Sequence, residues 1–248
     1  MKTAERHRLK DNEVAEGLAF ATDYWEGNQK TILQALGVVV VVALIAGVWW
    51  LYRHNQLENA SALYADARIT ATAPVAPPPA AATPGQPAPV VPKDAFPNEA
   101  ARRDAALKKF EAAAAAYPST GPGLAARLQA ASLLGEAGKL ADAQKQLEEI
   151  VRLDGNGLYG RMAKLGIATM QVDAGQTAPA ITTLTELSQR TDLEVPVDGV
   201  LMQLGRAYEK AGKSGDAVRT FTRIGDEFPE SPYASDARAE ADRIKAKS

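Results

Sequence analysis

Residues 201–230 read LMQLGRAYEKAGKSGDAVRTFTRIGDEFPE, and this stretch determines the fold because its key positions recur upstream at a constant interval. One alanine position repeats every 37 residues, as Ala106, Ala143, Ala180 and Ala217. A large apolar position repeats at the same step, as Phe110, Leu147, Leu184 and Phe221. A unit of this length holds two amphipathic helices, which cannot bury their apolar faces alone and therefore stack on neighbouring units. The period predicts an all-α solenoid.

Two further positions keep the same step and explain how a pair of helices packs. The first holds a small residue, as Ala131, Ala168 and Gly205, and the second holds a glycine, as Gly138, Gly175 and Gly212. Small side chains let two helices approach closely, while glycine frees the turn between them from side-chain restriction. The predicted packing set is completed by the recurring alanines and by two large residues, namely Ala143, Ala180, Ala217, Tyr208 and Phe221.

The phase of the repeat identifies the order of the helices. Pro118 and Pro229 are three intervals apart, so the segment from Asn98 to residue 117 corresponds to the second helix of a unit. Asn98 is a favourable N-cap, and the proline ends the helix. The first helix of that unit is then predicted over residues 53–71. Nine prolines between residues 71 and 97 allow no packed core, so residues 72–97 form a Pro/Ala-rich insertion within the first repeat or a linker.

Residues 98–248 are predicted to complete an α-solenoid of about four helix pairs. After the helix that begins at Asn98, helices are expected over residues 123–136, 140–153, 157–173, 177–190, 197–211, 214–228 and 232–246. The last of these carries alanines on one side and charges elsewhere. A terminal repeat element needs such a polar outer face, so this helix is expected to act as the cap.

An uncharged apolar segment precedes the repeats. It begins at Thr31 and ends at Tyr52, with Lys30 and Arg53 as the flanking charges. As a helix it is about 33 Å long, which suffices to cross the hydrocarbon core of a bilayer. A buried core helix and a cleavable signal are the alternatives, but the 30-residue leader and the long apolar run exceed the usual signal pattern. We therefore predict an uncleaved single transmembrane helix over residues 31–52, continuous with the helix over residues 53–71.

The N-terminal tail, residues 1–30, contains five Lys or Arg residues, against two in the first twenty residues after the apolar segment. Lys and Arg accumulate on the cytoplasmic side of single-pass proteins. The tail is therefore expected in the cytoplasm and the repeats outside, which in a Gram-negative cell means the inner membrane and the periplasm. The tail is either a short amphipathic helix at the membrane surface or a solvated segment. Gly27 and Asn28 are expected to separate it from the anchor.

Composition excludes several classes of function. The chain has 28 Lys and Arg against 30 Asp and Glu, a formal net charge of -2, and no concentrated basic face, so nucleic acid is not an expected partner. Cysteine is absent, and His7 and His54 are the only histidines. No metal site, cofactor site or His-dependent catalytic centre is therefore expected. Acidic pairs such as Glu148 with Glu149 lie on charged helix faces typical of a solvated surface, so we expect no enzyme.

The final full unit carries the residues of a known repeat. Its recurring positions spell the tetratricopeptide pattern, as Leu204, Gly205, Tyr208, Gly212, Ala217, Phe221 and Pro229. The whole architecture, with a tail, one anchor and an external repeat domain, resembles the YfgM-like family, the ancillary subunits of the Sec translocon. That resemblance implies a place beside the secretion channel, association with a periplasmic chaperone or prolyl isomerase, and assistance to exported proteins. Related tetratricopeptide proteins imply the alternative of an envelope scaffold in cell division or outer-membrane maintenance.

If the helix pairs adopt tetratricopeptide geometry, their first helices line a peptide-binding groove. Two rows of equivalent positions then face it, namely Leu128, Leu165 and Met202, followed by Ser132, Thr169 and Arg206. An apolar row with a polar rim suits an extended, partly unfolded chain. The alternative is that apolar residues at this spacing belong to the core. The carboxylate-clamp variant of the fold needs Lys and Asn in the groove and is not expected here.

Overall fold

The computed structural model describes residues 3–76, 92–189 and 195–247, with side chains from residue 25 onward apart from residue 26. Within these ranges the chain forms nine α-helices, which confirms the all-α class. They are α1 Thr3–Ala71, α2 Glu99–Ala116, α3 Gly121–Glu136, α4 Leu140–Asp154, α5 Leu158–Asp173, α6 Thr177–Ser188, α7 Val197–Lys210, α8 Ser214–Glu227 and α9 Ala234–Lys245. The described residues up to Asn55 form one unit, and those from Gln56 onward form a second.

The first unit consists of α1 up to Asn55, and it contains a segment long and apolar enough to cross a membrane, judged by length and composition. Every side chain from residue 33 to residue 55 is exposed. At the C-terminal end of this segment the ring of His54 stacks on Trp50 with centroids 5.3 Å apart, and the Arg53 guanidinium lies 5.2 Å from the Trp49 ring centroid.

The expected separation at Gly27 and Asn28 is wrong, because α1 continues through both residues. Glycine within a helix costs about 1 kcal/mol relative to alanine, and asparagine costs less. Strong helix formers lie on both sides of the pair, so this local cost is too small to end a helix of this length.

In the second unit, consecutive helices from α2 to α9 contact one another, and α3 and α7 also contact α5. The core consists of three buried apolar clusters in chain order. The first contains Ala67, Ala106, Phe110, Ala113, Ala114, Ala126 and Ala130. The second contains Leu124, Ala131, Leu147, Ile150 and Ala163, and the third extends from Ala168 to Ile244. Each cluster draws on successive helices, so the core is continuous in the way a repeat array requires.

Residues 56–71 of α1 belong to the first cluster. Ala60 and Ala67 are 1% and 0% exposed, so small side chains lie where this helix meets its neighbour. The Tyr64 ring lies 5.9 Å from that of Phe110, centroid to centroid. Lys109 Nζ pairs with the Asp66 carboxylate at 2.8 Å. Residues 56–71 and α2 therefore form a packed pair of helices.

Three turns between paired helices are alike because each depends on a glycine at the 37-residue step. Gly138, Gly175 and Gly212 have φ of 74°, 76° and 73°, which is the left-handed region that other residues avoid. In each turn the residue after the glycine donates its N–H to a carbonyl five residues earlier, as from Lys213 to Tyr208 at 2.9 Å. This is the Schellman arrangement, which satisfies the last free carbonyls of the first helix.

The helix ends also keep the period. Asn98 caps α2 by accepting the Ala101 N–H on Oδ1 at 2.8 Å, as predicted. The second helices α2 and α8 then end at equivalent residues, Tyr117 with φ -134° and ψ 57° and Phe228 with φ -129° and ψ 58°. A proline follows each of them. The backbone thus repeats over three intervals.

The ends of the Pro/Ala-rich stretch lie side by side. Val75 and Phe96 form a single parallel β-bridge, in which Ala76 N–H donates to the Phe96 carbonyl at 2.8 Å and Phe96 N–H to the Pro74 carbonyl at 2.9 Å. Arg102 Nη1 adds a bond to the Ala73 carbonyl at 3.3 Å. Residues 77–91, which hold most of the prolines, lie outside the described residues, as do residues 190–194 and 248.

Candidate protein-binding groove

A groove of about 460 Å³ opens between α3, α4 and α5. Its walls are Leu128, Leu140 and Met170, its floor is made of Leu147 and the small residues Ala131, Gly135, Ala143 and Gly166, and its polar rim is Gln129, Ser132 and Thr169. None of these side chains carries a charge. We call this surface the α3–α5 groove.

The groove opens here because several lining residues depart from the repeat. Gly166 stands where the neighbouring units have Gln129 and Gln203, so a side chain is missing at this junction alone. A Cβ on Gly166 would lie 3.1 Å from Leu147 Cδ1, which shows how closely the floor is backed by the core. At this position Leu147 packs directly against the glycine, where the neighbouring units have a glutamine side chain.

Leu140 is the second departure from the repeat. The equivalent positions hold Thr177 and Ser214, whereas Leu140 is apolar and 57% exposed. Because more than half of the Leu140 side chain lies in solvent, the fold gains less from it than from a buried leucine. It does extend the apolar wall of the α3–α5 groove into solvent, where a partner side chain can cover it.

The polar rim has hydrogen-bonding capacity left over. The Thr169 hydroxyl donates to the Leu165 carbonyl at 2.9 Å, and the Ser132 hydroxyl donates to Glu136 Oε1 at 3.4 Å. A hydroxyl that donates one bond still has lone pairs with which to accept another. The rim is therefore able to accept N–H groups from an extended backbone.

The structure separates the predicted groove residues. Leu128, Ser132 and Thr169 line the α3–α5 groove together. Leu165 is half-buried and packs against the third core cluster. Arg206 is exposed on α7.

The prediction that Met202 lines the groove is wrong. It is only 2% exposed and lies within the core, so it has no surface to offer a partner. Met202 therefore follows the alternative interpretation, in which an apolar residue at this spacing belongs to the core.

Sequence reasoning named five of the groove residues neither as groove nor as repeat positions, namely Gln129, Gly135, Leu140, Gly166 and Met170. A signal for two of them was present, because Gly166 and Leu140 break the pattern of their equivalent positions in size and polarity. The residues that recur at the 37-residue step are mostly the ones that build the core. Positions that break the period are the ones that shape a surface peculiar to one junction.

The charges beyond the groove rim are acidic on the first helices α3 and α5 and basic on α7. One turn beyond the rim hydroxyls, Glu136 and Asp173 end α3 and α5, while the same position on α7 is Lys210. Lys210 Nζ donates to the Val172 carbonyl at 3.0 Å and lies 3.4 Å from Asp173 Oδ1. Such exposed pairs contribute little to stability, but they set the sign of charge that a partner meets.

The acidic pair Glu148 and Glu149 is part of an ordinary charged surface. Glu149 accepts two hydrogen bonds from the Arg152 guanidinium at 2.7 and 2.6 Å, and these bonds hold the pKa of the Glu149 carboxyl below its usual value. Gln144 Nε2 donates to Glu148 Oε1 at 2.8 Å. The two carboxylates thus have separate helical partners and do not converge on a cleft.

The comparisons with known proteins agree with the repeat fold. The profile of the tetratricopeptide repeat-like domain matches residues 22–194, and the tetratricopeptide repeat profile matches residues 200–231. The chain belongs to the tetratricopeptide repeat-like family. Such repeats are scaffolds for interactions between proteins, and the fold is typically non-catalytic. No curated protein matches the chain.

The similar solved structures include two forms of one protein. One is the crystal structure of a Podosopora anserina putative kinesin light chain with nearly identical TPR-like repeats, at 17% identity and a TM-score of 0.46. The other is a point variant of it, at 17% identity and a TM-score of 0.47. Each match covers 58% of this chain and 77% of the other.

Proposed function

We propose that this protein is a membrane-anchored scaffold of the bacterial envelope that binds other proteins through its repeats. At finer detail, we propose that it is an ancillary subunit at the Sec translocon, which assists exported proteins or recruits a periplasmic chaperone. The observation that carries the proposal is the combination of an apolar, uncharged α3–α5 groove with an exposed apolar segment of helix in one chain. The first suits a polypeptide partner, and the second suits a bilayer.

The proposed anchor is the segment that begins at Thr31 and ends at Tyr52. In water its exposed side chains would be a large apolar surface without a partner, whereas in lipid they are solvated. The aromatic residues Trp49 and Trp50, followed by Arg53, have the amphipathic character of residues at the headgroup level. These features support residues 31–52 as the spanning part, with residues 1–30 as a cytoplasmic tail.

The proposed orientation is testable in a chain without cysteine. Single cysteines are introduced by Thr3→Cys and by Lys247→Cys, and intact cells are treated with a membrane-impermeant thiol reagent. If the repeats are periplasmic, only the Lys247→Cys variant is labelled before lysis. Labelling of the Thr3→Cys variant alone would reverse the orientation.

The proposed partners are tested by chemical crosslinking in intact cells followed by identification of the captured proteins. Subunits of the secretion channel, a periplasmic chaperone or exported chains are the expected products. Division or outer-membrane maintenance components in their place would replace the translocon role by the alternative envelope scaffold. Deletion of residues 98–248 serves as the control, because the anchor alone should capture none of them.

A further inference from the structure

The α3–α5 groove has a more specific chemistry than a general protein-binding surface. We infer that it receives a large apolar side chain of an extended partner segment that also carries a carboxylate about three or four residues away. This inference rests on the proposed protein-binding function and names the partner chemistry of the same surface. It concerns the junction of two particular repeats, where Gly166 and Leu140 depart from their equivalents.

The apolar part of the inference follows from the lining. All eleven lining residues are uncharged, and four of them, Leu128, Leu140, Leu147 and Met170, have large apolar side chains. A volume of about 460 Å³ is within the usual range for ligand pockets and exceeds the needs of one aromatic side chain. A charged side chain placed there would lose its hydration without a partner, so the groove discriminates against it.

The hydroxyl groups on the groove rim favour a partner with an extended backbone. Ser132 and Thr169 hold equivalent positions on neighbouring helices, and both have hydroxyl lone pairs available. A chain that crosses from α3 to α5 passes these hydroxyls in turn. An extended segment has free N–H groups to donate to these hydroxyls, whereas a helical segment satisfies its own N–H groups internally.

The carboxylate of the partner is inferred from Arg206, the next residue in the row of Ser132 and Thr169. Arg206 is the equivalent of Ser132 and Thr169 on α7, and its side chain is exposed. Helix α7 contacts α5, as α3 does. Packed helices lie about 8–10 Å apart, and an extended chain advances about 3.3 Å per residue. A partner anchored in the groove thus reaches Arg206 after about three or four residues, and Arg favours a carboxylate there.

The test uses the full-length chain in lipid nanodiscs and a labelled ten-residue serine and glycine peptide. The peptide contains one phenylalanine and, four residues later, one aspartate, and binding is followed by fluorescence anisotropy against empty nanodiscs. We expect it to bind about ten-fold or more tightly than the same peptide with serine for phenylalanine, because the aromatic ring leaves water. Replacing its aspartate by lysine should also weaken binding.

Two variants of the protein locate the binding. Leu140→Ser introduces the residue found at the equivalent position of the last unit and should weaken the phenylalanine peptide about five-fold or more. Leu158→Ser is the matched control, since Leu158 is an exposed leucine at the start of α5 outside the groove lining, and should leave binding unchanged. Arg206→Gln should abolish the preference for aspartate over lysine while retaining the preference for phenylalanine.

Several results would overturn the inference. In one, the phenylalanine peptide fails to bind, and in another it binds no more tightly than the serine peptide. The third such result is that Leu140→Ser and Leu158→Ser reduce the affinity for the phenylalanine peptide equally. Self-association of the chain that disappears in Leu140→Ser would show that a second copy occupies the groove. In each case captured partners in the cell crosslinking experiment would leave the scaffold function standing, so the two failures are distinguishable.

Discussion

The contact between Gly205 and Phe221 makes the sharpest prediction about how the repeats pack. A Cβ on Gly205 would lie 2.5 Å from Cε1, 2.7 Å from Cζ and 2.8 Å from Cδ1 of the Phe221 ring. Phe221 is 0% exposed, so the ring has no solvent to move into. In the other units an alanine, Ala131 or Ala168, and a leucine hold the positions equivalent to Gly205 and Phe221.

The magnitude follows from two opposing effects. Overpacking a core typically costs about 1–3 kcal/mol, whereas alanine in place of glycine stabilises a helix by about 1 kcal/mol. Gly205→Ala should therefore lower the free energy of unfolding by about 1 kcal/mol. Phe221→Leu removes volume from a filled site and should cost about 1–2 kcal/mol. The double variant restores the alanine and leucine pair of the other units, so the overpacking disappears.

The assay is denaturant unfolding of the full-length chain in detergent, followed by far-UV circular dichroism, for the two single variants and the double variant. We expect the double variant to be about 1–2 kcal/mol more stable than additivity predicts. Gly135→Ala is the control, because nothing lies within 4 Å of a Cβ at that helical glycine, and it should be neutral or stabilising. Additivity within about 0.5 kcal/mol would refute the proposed contact.

Three further predictions concern a turn, an ion pair and the insertion. Gly175→Ala, at a φ of 76°, should lower the free energy of unfolding by about 1–2 kcal/mol, and melting unchanged from the parent would contradict the left-handed turn. In the Arg152→Gln variant the Glu149 carboxyl should titrate at higher pH, as followed by NMR, because the Arg152 guanidinium holds its folded pKa low. In the parent chain this ion pair stabilises the fold above the unfolded pKa of Glu149, and that contribution is lost as the pH falls through the folded pKa. Replacing residues 77–91 by a Gly/Ser linker of equal length should leave the melting temperature unchanged, because the β-bridge between Val75 and Phe96 lies outside that segment and the closed loop keeps its length. A large decrease in the melting temperature would show that the prolines contribute to the core.

The period made most of the fold predictable from the sequence. The turn glycines, the Asn98 cap and the end of α2 are determined by local backbone requirements, which each residue carries wherever it lies. The recurring alanines and large residues are buried because the close helix contacts they permit are the same in every unit. Local chemistry and tertiary packing point the same way at these positions.

The candidate groove was only partly predictable, for a physical reason. Equivalent positions in different units do not have equivalent surroundings, so Leu128 lines the α3–α5 groove while Met202 is buried in the core. The groove itself depends on a side chain that is absent, at Gly166, and on an exposed wall residue, Leu140. The consequence of a missing side chain appears only when the neighbours on three helices are known.

The central claim is that the groove side of the repeats binds partner proteins, and site-specific photocrosslinking in intact cells tests it most directly. A photoreactive residue is placed at Ser132 or Thr169 on the groove rim, or at Gln144 or Thr222, which are exposed on the second helices α4 and α8. We predict the same discrete adducts from both rim sites and none from the two second-helix sites. Adducts from Gln144 or Thr222 alone, or from no site at all, would contradict it.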